Sequence, residues 1–289
     1  MIRNMDPAFD LPEYLQRIGI DQALRPDVAA LRLLHRAHLA AIPFENLDVQ
    51  MGLAVRMDVE SLQRKMVDGR RGGYCFEQNT LFAHALRAVG FECHLCEARI
   101  RQNAGGVVRP RTHMVLKVIC AGRTWLADVG FGGDGILEPV AIDAGPTPQY
   151  GRTFRIENED RQWVLQVETA DGWDDLYAVV PQPVFAVDFE VANWYTSTHP
   201  DSPFVRTLTA QLSTLAVRHV LRDLTYTIYT GEGVESRDVA REDLHALLRE
   251  TFHIDVPATA TFRALDEHAP TALPLVGHSH HTLPFRPRQ

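Results

Sequence analysis

The chain has 289 residues, of which 45% are hydrophobic and 23% charged, a composition typical of a globular protein with a sizeable core. Acidic residues outnumber basic ones by 37 to 29, and the formal net charge of -8 argues against broad binding to nucleic acid or to anionic membranes. The sequence has no apolar run of about 18 residues and no apolar segment near Met1. We therefore expect a cytoplasmic protein that is neither secreted nor embedded in a membrane.

The first ninety residues have helical periodicity, interrupted by glycine and proline. Helices are predicted over 11–18, 28–42, 59–67 and 75–89. Asp27 and Asp58 are placed to cap the second and third of these helices, and Gly90 is placed to end the fourth. We expect residues 1–90 to form one helical unit.

Beyond residue 90 the period changes from helical to alternating, which is typical of strands. Strand-like runs lie at 91–100, 113–120, 123–128, 153–156, 163–168 and 176–180. Two segments rich in turn-forming residues, 180–183 and 193–204, follow this β-rich middle. We expect the middle unit to span residues 91–192.

The last part of the chain, residues 193–289, mixes both kinds of pattern. The runs 208–217 and 224–230 are predicted to be extended, and 241–252 has apolar residues at helical spacing. The sequence therefore predicts an α+β protein with a helical, a β-rich and a mixed part.

Cys75 is the most informative residue, because it follows a glycine-rich turn and stands in the first turn of a predicted helix. Unpaired backbone N–H groups and the positive end of the helix dipole stabilise an anion at that position, so a thiolate forms there more readily than at an ordinary cysteine. Arg70 and Arg71, just upstream, are expected to act in the same direction. The pattern predicts a nucleophile.

A cysteine nucleophile needs a base to take its proton and a third group to orient that base. Two neighbouring predicted strands supply both residues if they form a two-residue hairpin that pairs Cys120 with Arg123. In this register His113 and Asp128 are diagonal neighbours on one face, within reach of each other if the strands twist or carry a bulge. A slip of one residue would separate them. His113 is therefore the candidate base and Asp128 the candidate orienting acid.

A second chemistry is suggested by Cys93 and Cys96, which form a C-x-x-C pair to which Cys120 adds a third sulfur. Strand alternation points Cys93 and Cys96 to opposite faces, so we interpret them as small buried hydrophobes and expect no metal. The three histidines between 278 and 281 are interpreted as part of an exposed tail.

Several motifs, in order, carry a resemblance to a known family. They are IPFENL at 42–47, RRGGYCFEQN at 70–79, RTH at 111–113 and DVGFG at 128–132, and the segment SPF at 202–204 is also similar. Together these motifs resemble the arylamine N-acetyltransferase family. The specific part of the match covers about residues 43–133, and no motif follows about Val256.

The resemblance implies a helical bundle, a β-barrel and an α/β lid, around a Cys-His-Asp core similar to that of papain-like enzymes. It implies Cys75 as acetyl acceptor, His113 as base and Asp128 as orienting acid. The implied reaction is ping-pong: acetyl-CoA acetylates Cys75, CoA leaves, and the nitrogen of an arylamine, arylhydroxylamine or arylhydrazine attacks the thioester.

Aromatic and glycine residues near these motifs are candidates for the two substrates. The aryl-binding candidates are Tyr74, Phe131 and Phe204, with core packing an equal alternative for Tyr74. The candidates for close approach of CoA are Gly130, Gly132 and Gly133. Glu45 is interpreted as structural, bonded to backbone or to an arginine such as Arg71, because the triad already has its acid.

Two other functions remain open at this point. One is a cysteine hydrolase or amide synthase that uses the same three residues on another acyl donor. The other is a zinc or small-ligand binding protein that uses Cys93, Cys96 and a histidine. The sequence leaves open the physiological amine, the acyl chain, the path of the tail after about Val256, and whether the chain forms a homo-oligomer.

Overall fold

The structure, a computed structural model, describes residues 9–266, so the histidines between 278 and 281 and most of the tail lie outside it. Its helices are α1 (Leu11–Arg17), α2 (Val28–Ala41), α3 (Leu47–Gln50), α4 (Val59–Leu62), α5 (Cys75–Val89), α6 (Asp188–Thr198), α7 (Pro203–Arg206), α8 (Leu244–Phe252) and α9 (Arg263–Asp266). A π-helical turn, Gln63–Asp68, continues α4, and a 3-10 turn, Arg241–Asp243, precedes α8. Within this range no helix has the length and apolar character needed to cross a bilayer.

The strands form two antiparallel sheets. They are β1 (Phe44–Glu45), β2 (Glu92–Ile100), β3 (His113–Cys120), β4 (Arg123–Ala127), β5 (Val140–Ala141), β6 (Thr147–Gln149), β7 (Arg152–Glu159), β8 (Gln162–Thr169), β9 (Gly172–Val179), β10 (Thr209–Ser213), β11 (Val217–Arg222), β12 (Thr225–Thr230) and β13 (Gly233–Asp238). Eight strands, in the order β5-β4-β3-β2-β9-β8-β7-β6, curl into a nearly closed barrel. The other sheet has the order β1-β10-β11-β12-β13. The fold is α+β, as predicted.

The ends of the predicted helices are confirmed by their caps. Asp27 Oδ1 accepts a hydrogen bond from Ala30 N at 2.8 Å, and Asp58 Oδ1 accepts one from Ser61 N at 3.0 Å. Each bond satisfies a backbone donor that has no partner within the helix. Gly90 ends α5 in the left-handed conformation, with φ of 112°.

The hairpin of β3 and β4 has the predicted register, with Cys120 opposite Arg123. Ala121 and Gly122 both have positive φ, 51° and 72°, as a type I′ turn requires. This turn fixes the pairing of the two strands, and the chain leaves β4 at Ala127, so Asp128 follows directly. The hairpin thus sets where His113 and Asp128 lie.

One prediction for the rest of the chain was wrong, and several elements were not predicted. The segment 193–204 lies between the strands of the two sheets, and most of it belongs to α6 and α7, which were not predicted. The run 208–217 is not continuous, because the Thr214 hydroxyl accepts from the amides of Ala216 and Val217 and turns the chain between β10 and β11. Strands β5, β6 and β13 were not predicted, and every residue of β13 is exposed.

The first ninety residues also contribute a strand to the second sheet. Phe44 and Glu45 of β1 pair with Gln211 and Ala210 of β10. Next to them, the side chain of Asn46 bonds three main-chain groups of the last part of the chain: it donates to Phe204 O (2.7 Å) and Thr207 O (2.8 Å) and accepts from Thr209 N (2.8 Å). The IPFENL motif therefore joins the helical part to this sheet.

Candidate active site

Cys75 is the first residue of α5 and is 3% exposed. The preceding glycines allow a close turn, since a Cβ at Gly72 would overlap the carbonyl oxygen of Pro43 and one at Gly73 would lie 2.6 Å from Glu77 Oε2. Glu77 Oε2 also accepts a hydrogen bond from Tyr74 N at 3.1 Å, which caps the helix. The turn thus delivers the Cys75 sulfur to 3.7 Å from Thr112 O, beside the start of β3.

His113 and Asp128 are in direct contact, with His113 Nε2 at 2.7 Å from Asp128 Oδ2. Both side chains are almost completely buried. The second carboxylate oxygen accepts from Asn79 Nδ2 and from Gly130 N, both at 2.9 Å. The sulfur of Cys75 faces the same imidazole, so all three predicted residues lie in one group.

The electrostatics of this group favour a charged imidazole. Burial opposes the charge, but the adjacent Asp128 carboxylate and the contact with Cys75 outweigh it and raise the pKa of His113 to about 10. Burial likewise opposes ionisation of Asp128, but His113 and the hydrogen bonds from Asn79 and Gly130 lower its pKa. His113 is therefore able to hold a proton received from a thiol.

Asn79 was not identified from the sequence, although it connects three elements of this site. Its amide nitrogen donates to Met114 O (2.8 Å) as well as to Asp128, and its oxygen accepts from Val129 N (3.1 Å). Its spacing from Cys75 could have identified it. Residues four apart on a helix share a face, so Asn79 lies on the same face of α5 as Cys75.

Two aromatic rings enclose the imidazole of His113. The ring centroids of Phe131 and Tyr177 lie 5.6 Å and 5.1 Å from it. Tyr177 was also not predicted; it is fully buried, and burial together with the facing Asp128 carboxylate raises the pKa of its hydroxyl well above the usual range. Phe131 is only half-buried, so its ring also borders open space.

The other two aryl-binding candidates lie in a second aromatic group. Tyr74 is fully buried, and its hydroxyl donates to the side chain of Asn193. Its ring packs edge-on against Phe204 at 5.4 Å, and Phe204, which is half-buried, lies 6.0 Å from Phe44. A Cβ at Gly132 would lie 3.2 Å from the Phe44 ring, so the loop that carries Phe131 meets this group.

The three candidate glycines have different surroundings. A Cβ at Gly130 would lie 2.7 Å from Cys75 Cα, so this glycine permits the loop to pack against α5. Gly132 and Gly133 line a cavity of about 30 Å³ together with Phe44, Phe131 and Gln211, among others. Gly133 N donates to Gln211. Contact with CoA stays a prediction for all three glycines.

A buried ion cluster lies beneath the start of α5. Arg71 bonds Glu45 at 2.8 Å and Asp48 at 2.9 Å, and Lys65 bonds Asp48 at 2.6 Å and Glu77 at 2.7 Å. The structural interpretation of Glu45 is therefore confirmed. We expect Arg71 to stabilise a thiolate at Cys75 less than the sequence suggested, because Glu45 and Asp48 compensate its charge.

Comparison with known proteins identifies the family. The N-acetyltransferase family model matches residues 27–261. The arylamine N-acetyltransferase of Mycolicibacterium smegmatis is 37% identical over 257 residues, which cover 86% of this chain and 93% of the relative. The chain belongs to the arylamine N-acetyltransferase family. It is an acyltransferase.

Two further members of the arylamine N-acetyltransferase family support this assignment. The arylamine N-acetyltransferase / N-hydroxyarylamine O-acetyltransferase of Salmonella typhimurium is 34% identical over 257 residues, which cover 85% of this chain and 89% of the relative. The structure of the Mycobacterium marinum arylamine N-acetyltransferase in complex with CoA matches with a TM-score of 0.80 at 33% identity, covering 85% of this chain and 93% of that one.

Within residues 9–266, no group of three or more His, Cys, Asp or Glu side chains is arranged to hold a metal ion. This part of the chain therefore offers no site for the zinc alternative. Cys93 belongs to the core under α5, whereas Cys96 lies in the separate core of the barrel. The two sulfurs are on opposite faces of β2, as predicted, and cannot share one ion.

Proposed function

We propose that this acyltransferase moves an acetyl group from acetyl-CoA to the nitrogen of arylamines, arylhydroxylamines or arylhydrazines by a ping-pong mechanism. Cys75 carries the acetyl group, His113 moves the proton, and Asp128 orients His113, as in papain-like enzymes. The observation that carries this proposal is the buried contact of 2.7 Å between His113 and Asp128, with Cys75 facing the same imidazole. Relatives named for arylamine and N-hydroxyarylamine acetylation support the substrate class.

In the first half-reaction, Asp128 accepts the hydrogen bond from His113 Nε2, which leaves Nδ1 to face the sulfur and take the thiol proton. The Cys75 thiolate attacks the thioester carbonyl, and backbone N–H groups at the start of α5 are the candidate donors that stabilise the oxyanion. The carbon–sulfur bond to CoA then breaks. The CoA thiolate leaves with the proton held by His113, and acetyl-Cys75 remains.

In the second half-reaction, the amine nitrogen attacks the acetyl carbonyl of acetyl-Cys75. Arylamines are weak bases and are neutral near pH 7, so they attack without prior deprotonation. His113 takes the surplus proton as the new carbon–nitrogen bond forms, and returns it to the Cys75 sulfur as that sulfur leaves. The free thiol is regenerated and the amide is released.

The two aromatic groups supply an apolar surface against which the aryl ring of the substrate can pack. Phe131 and Phe204 are each half-buried, so part of each ring is free to contact a ligand, whereas the buried Tyr74 supports Phe204 from behind. Gly132 and Gly133 are the remaining candidates for close approach of CoA. Gly130 acts through packing against Cys75.

We also propose that the chain is divided into a helical bundle (1–90), a β-barrel (91–192) and an α/β lid with a tail (193–289). The barrel strands lie within Glu92–Val179, which fits the central unit. Because β1 joins the sheet of the third unit, the first and third units are expected to unfold together.

The reaction is tested with a panel of arylamines, arylhydroxylamines and arylhydrazines, each incubated with acetyl-CoA, propionyl-CoA or a longer acyl-CoA. We expect parallel double-reciprocal plots, N-acylated product, and loss of activity in Cys75→Ala but not in Cys93→Ala. Rapid release of the free acid without N-acylated product would instead favour the hydrolase alternative. Activity only with an acyl donor other than acyl-CoA would favour the amide synthase.

A further inference from the structure

The two ring nitrogens of His35 bond two main-chain groups that lie far along the chain from it, at Asp128 and Leu137. It lies in α2, is fully buried, and belongs to neither of the aromatic groups described above. Its Nε2 accepts a hydrogen bond of 3.2 Å from the backbone amide of Asp128, and its Nδ1 bonds the carbonyl oxygen of Leu137 at 3.0 Å. The edge of the ring meets Phe82, with centroids 5.7 Å apart.

The hydrogen-bonding character of these two partners fixes the protonation state of the His35 ring. A backbone amide only donates and a carbonyl only accepts, so Nε2 carries no hydrogen and Nδ1 carries one. The ring is therefore the neutral Nδ1–H tautomer. Burial agrees with this, since it lowers the pKa of His35 to about 4 against weaker opposing effects of Leu137 and Asp128.

The loop between these two contacts, residues 129–136, carries the proposed substrate contacts. It includes Phe131, Gly132 and Gly133, and it also packs on Cys75 through Gly130. His35 therefore bonds the chain on both sides of this loop. At the far end, Gln149 holds the amide of Leu137 from the barrel side at 3.0 Å, and Arg32 and Arg36 of α2 pair with the neighbouring Glu138. His35 adds a fully buried bond from α2 to the main chain of Leu137 itself.

The bonds to the Asp128 carboxylate come from His113, Asn79 and Gly130, whereas His35 bonds the main chain of the same residue. A carboxylate is aimed correctly only when its own backbone is held, because rotation about the backbone moves both oxygens. The position of Asp128 thus depends on α2 as well as on α5.

We propose that His35 is a positioning residue with two effects: through Nε2 it places Asp128 for proton transfer at His113, and through Nδ1 it places the loop that carries Phe131 against the aryl substrate. This inference rests on the proposed roles of Asp128 and Phe131. The two contacts make it testable in parts, because they are made by different nitrogens.

Two conservative variants separate the contacts. In His35→Asn the side-chain amide nitrogen takes the place of Nδ1 and keeps the donor for Leu137, but no acceptor reaches Asp128. In His35→Gln the amide extends to the place of Nε2 and keeps an acceptor for Asp128, while the donor for Leu137 is lost. His35→Ala removes both contacts.

The first readout is the rate of Cys75 alkylation by iodoacetamide as a function of pH, which needs no substrate. We expect His35→Asn to react about tenfold more slowly at neutral pH, the loss of one hydrogen bond, with a pH profile shifted toward that of His113→Ala. We expect His35→Gln to keep the wild-type rate and profile. The second readout is steady-state acetylation, in which His35→Gln should raise KM for the arylamine several-fold and His35→Asn should instead lower kcat.

Leu34→Ala is the matched control, because Leu34 is also fully buried in α2 and makes none of these contacts. It should lower stability and leave both readouts, measured on folded protein, at the wild-type level. The inference is overturned if the three His35 variants behave like Leu34→Ala. Failure of the proposed function has a different signature, since the wild type itself would then form no acetylated amine, while the alkylation readout would still report on His35.

Discussion

Asn79 donates a hydrogen bond of 2.9 Å to Asp128 from the same helix that begins with Cys75. Cys75, the proposed nucleophile, and Asn79, which supports the proposed orienting acid, are therefore one helical turn apart on a rigid element, although Asp128 follows Asn79 by 49 residues. The relative position of Cys75 and Asp128 is thus set by helix geometry as well as by the barrel.

Replacing Asn79 by Ala removes this bond and leaves the Asp128 carboxylate with one donor fewer. A hydrogen bond to a charged group contributes about 1.5 to 3 kcal/mol, so kcat/KM should fall about tenfold to a hundredfold. Steady-state acetylation measures the loss. Thr80→Ala is the control, since within residues 9–266 the Thr80 hydroxyl bonds only the thioether of Met114, a weak acceptor. Equal effects of both substitutions would contradict the assigned role of Asn79.

The proton affinity of His113 predicts the pH dependence of thiol reactivity. If Cys75 gives its proton to His113 as proposed, an imidazole with a pKa of about 10 retains that proton across neutral pH, and the alkylation rate should be nearly flat there. In His113→Ala the rate should be lower at neutral pH and rise about tenfold per pH unit, as for an isolated thiol. Rising profiles in both proteins would contradict the proposal.

The modified residue is identified by peptide mass spectrometry. Burial raises the pKa of Cys93 to about 12 and that of Cys96 to about 11, so neither should react at neutral pH. Cys75→Ala keeps both thiols and should therefore show no fast phase.

Because His38 is buried, we predict that the free energy of unfolding falls in acid. Its Nδ1 lies 2.8 Å from Tyr14 Oη and its Nε2 lies 2.6 Å from Gln78 Oε1, and burial lowers its pKa to about 3. The unfolded chain takes up this proton near pH 6.5, so between the two pKa values the unfolded state binds more protons and the free energy of unfolding falls as pH falls.

The variant that tests this pH dependence is His38→Gln. Between pH 6.5 and 4 it should lose about 3 kcal/mol less of its free energy of unfolding than the wild type, because it lacks this titration. Urea denaturation across that range gives both curves. Parallel curves would show that His38 is not held neutral in the folded protein.

Because of the buried ion cluster under α5, we predict that replacing Arg71 lowers stability much more than replacing Arg64, an arginine of the same region. Arg71→Ala leaves Glu45, which is fully buried, without its cation and should cost about 3 to 5 kcal/mol of stability. Arg64→Ala removes only an exposed i,i+4 pair with Glu60 and should cost less than about 0.5 kcal/mol. Urea denaturation of both variants at pH 7 tests this, and similar losses would contradict the cluster's role.

Local patterns sufficed to predict the elements that carry Cys75, His113 and Asp128. Helix α5 has a clear start and stop, and the hairpin register follows from a two-residue turn, so both depend on neighbouring residues. Strand geometry puts His113 and Asp128 on one face, whereas their direct contact also depends on the bonds of Asp128 to α5 and α2.

Other features depend on contacts between distant parts of the chain and left no local pattern. His35 meets Asp128 across 93 residues, and the two-residue strand β1 pairs with the distant β10 and with Gly73. Helix α6 was missed because it keeps Val191 and Trp194 exposed and therefore lacks a clean apolar stripe. Strand β13 was missed because it is exposed on every residue and has no alternation to detect.

Cys75 is proposed to carry the acetyl group between the two substrates. The most direct measurement mixes the protein with acetyl-CoA alone, quantifies the CoA released, and locates the modification by peptide mass spectrometry. We predict a rapid release of about one CoA per chain and an acetyl group on the Cys75 peptide that disappears when an arylamine is added. No release before the amine is added, or an unchanged release in Cys75→Ala, would contradict the account.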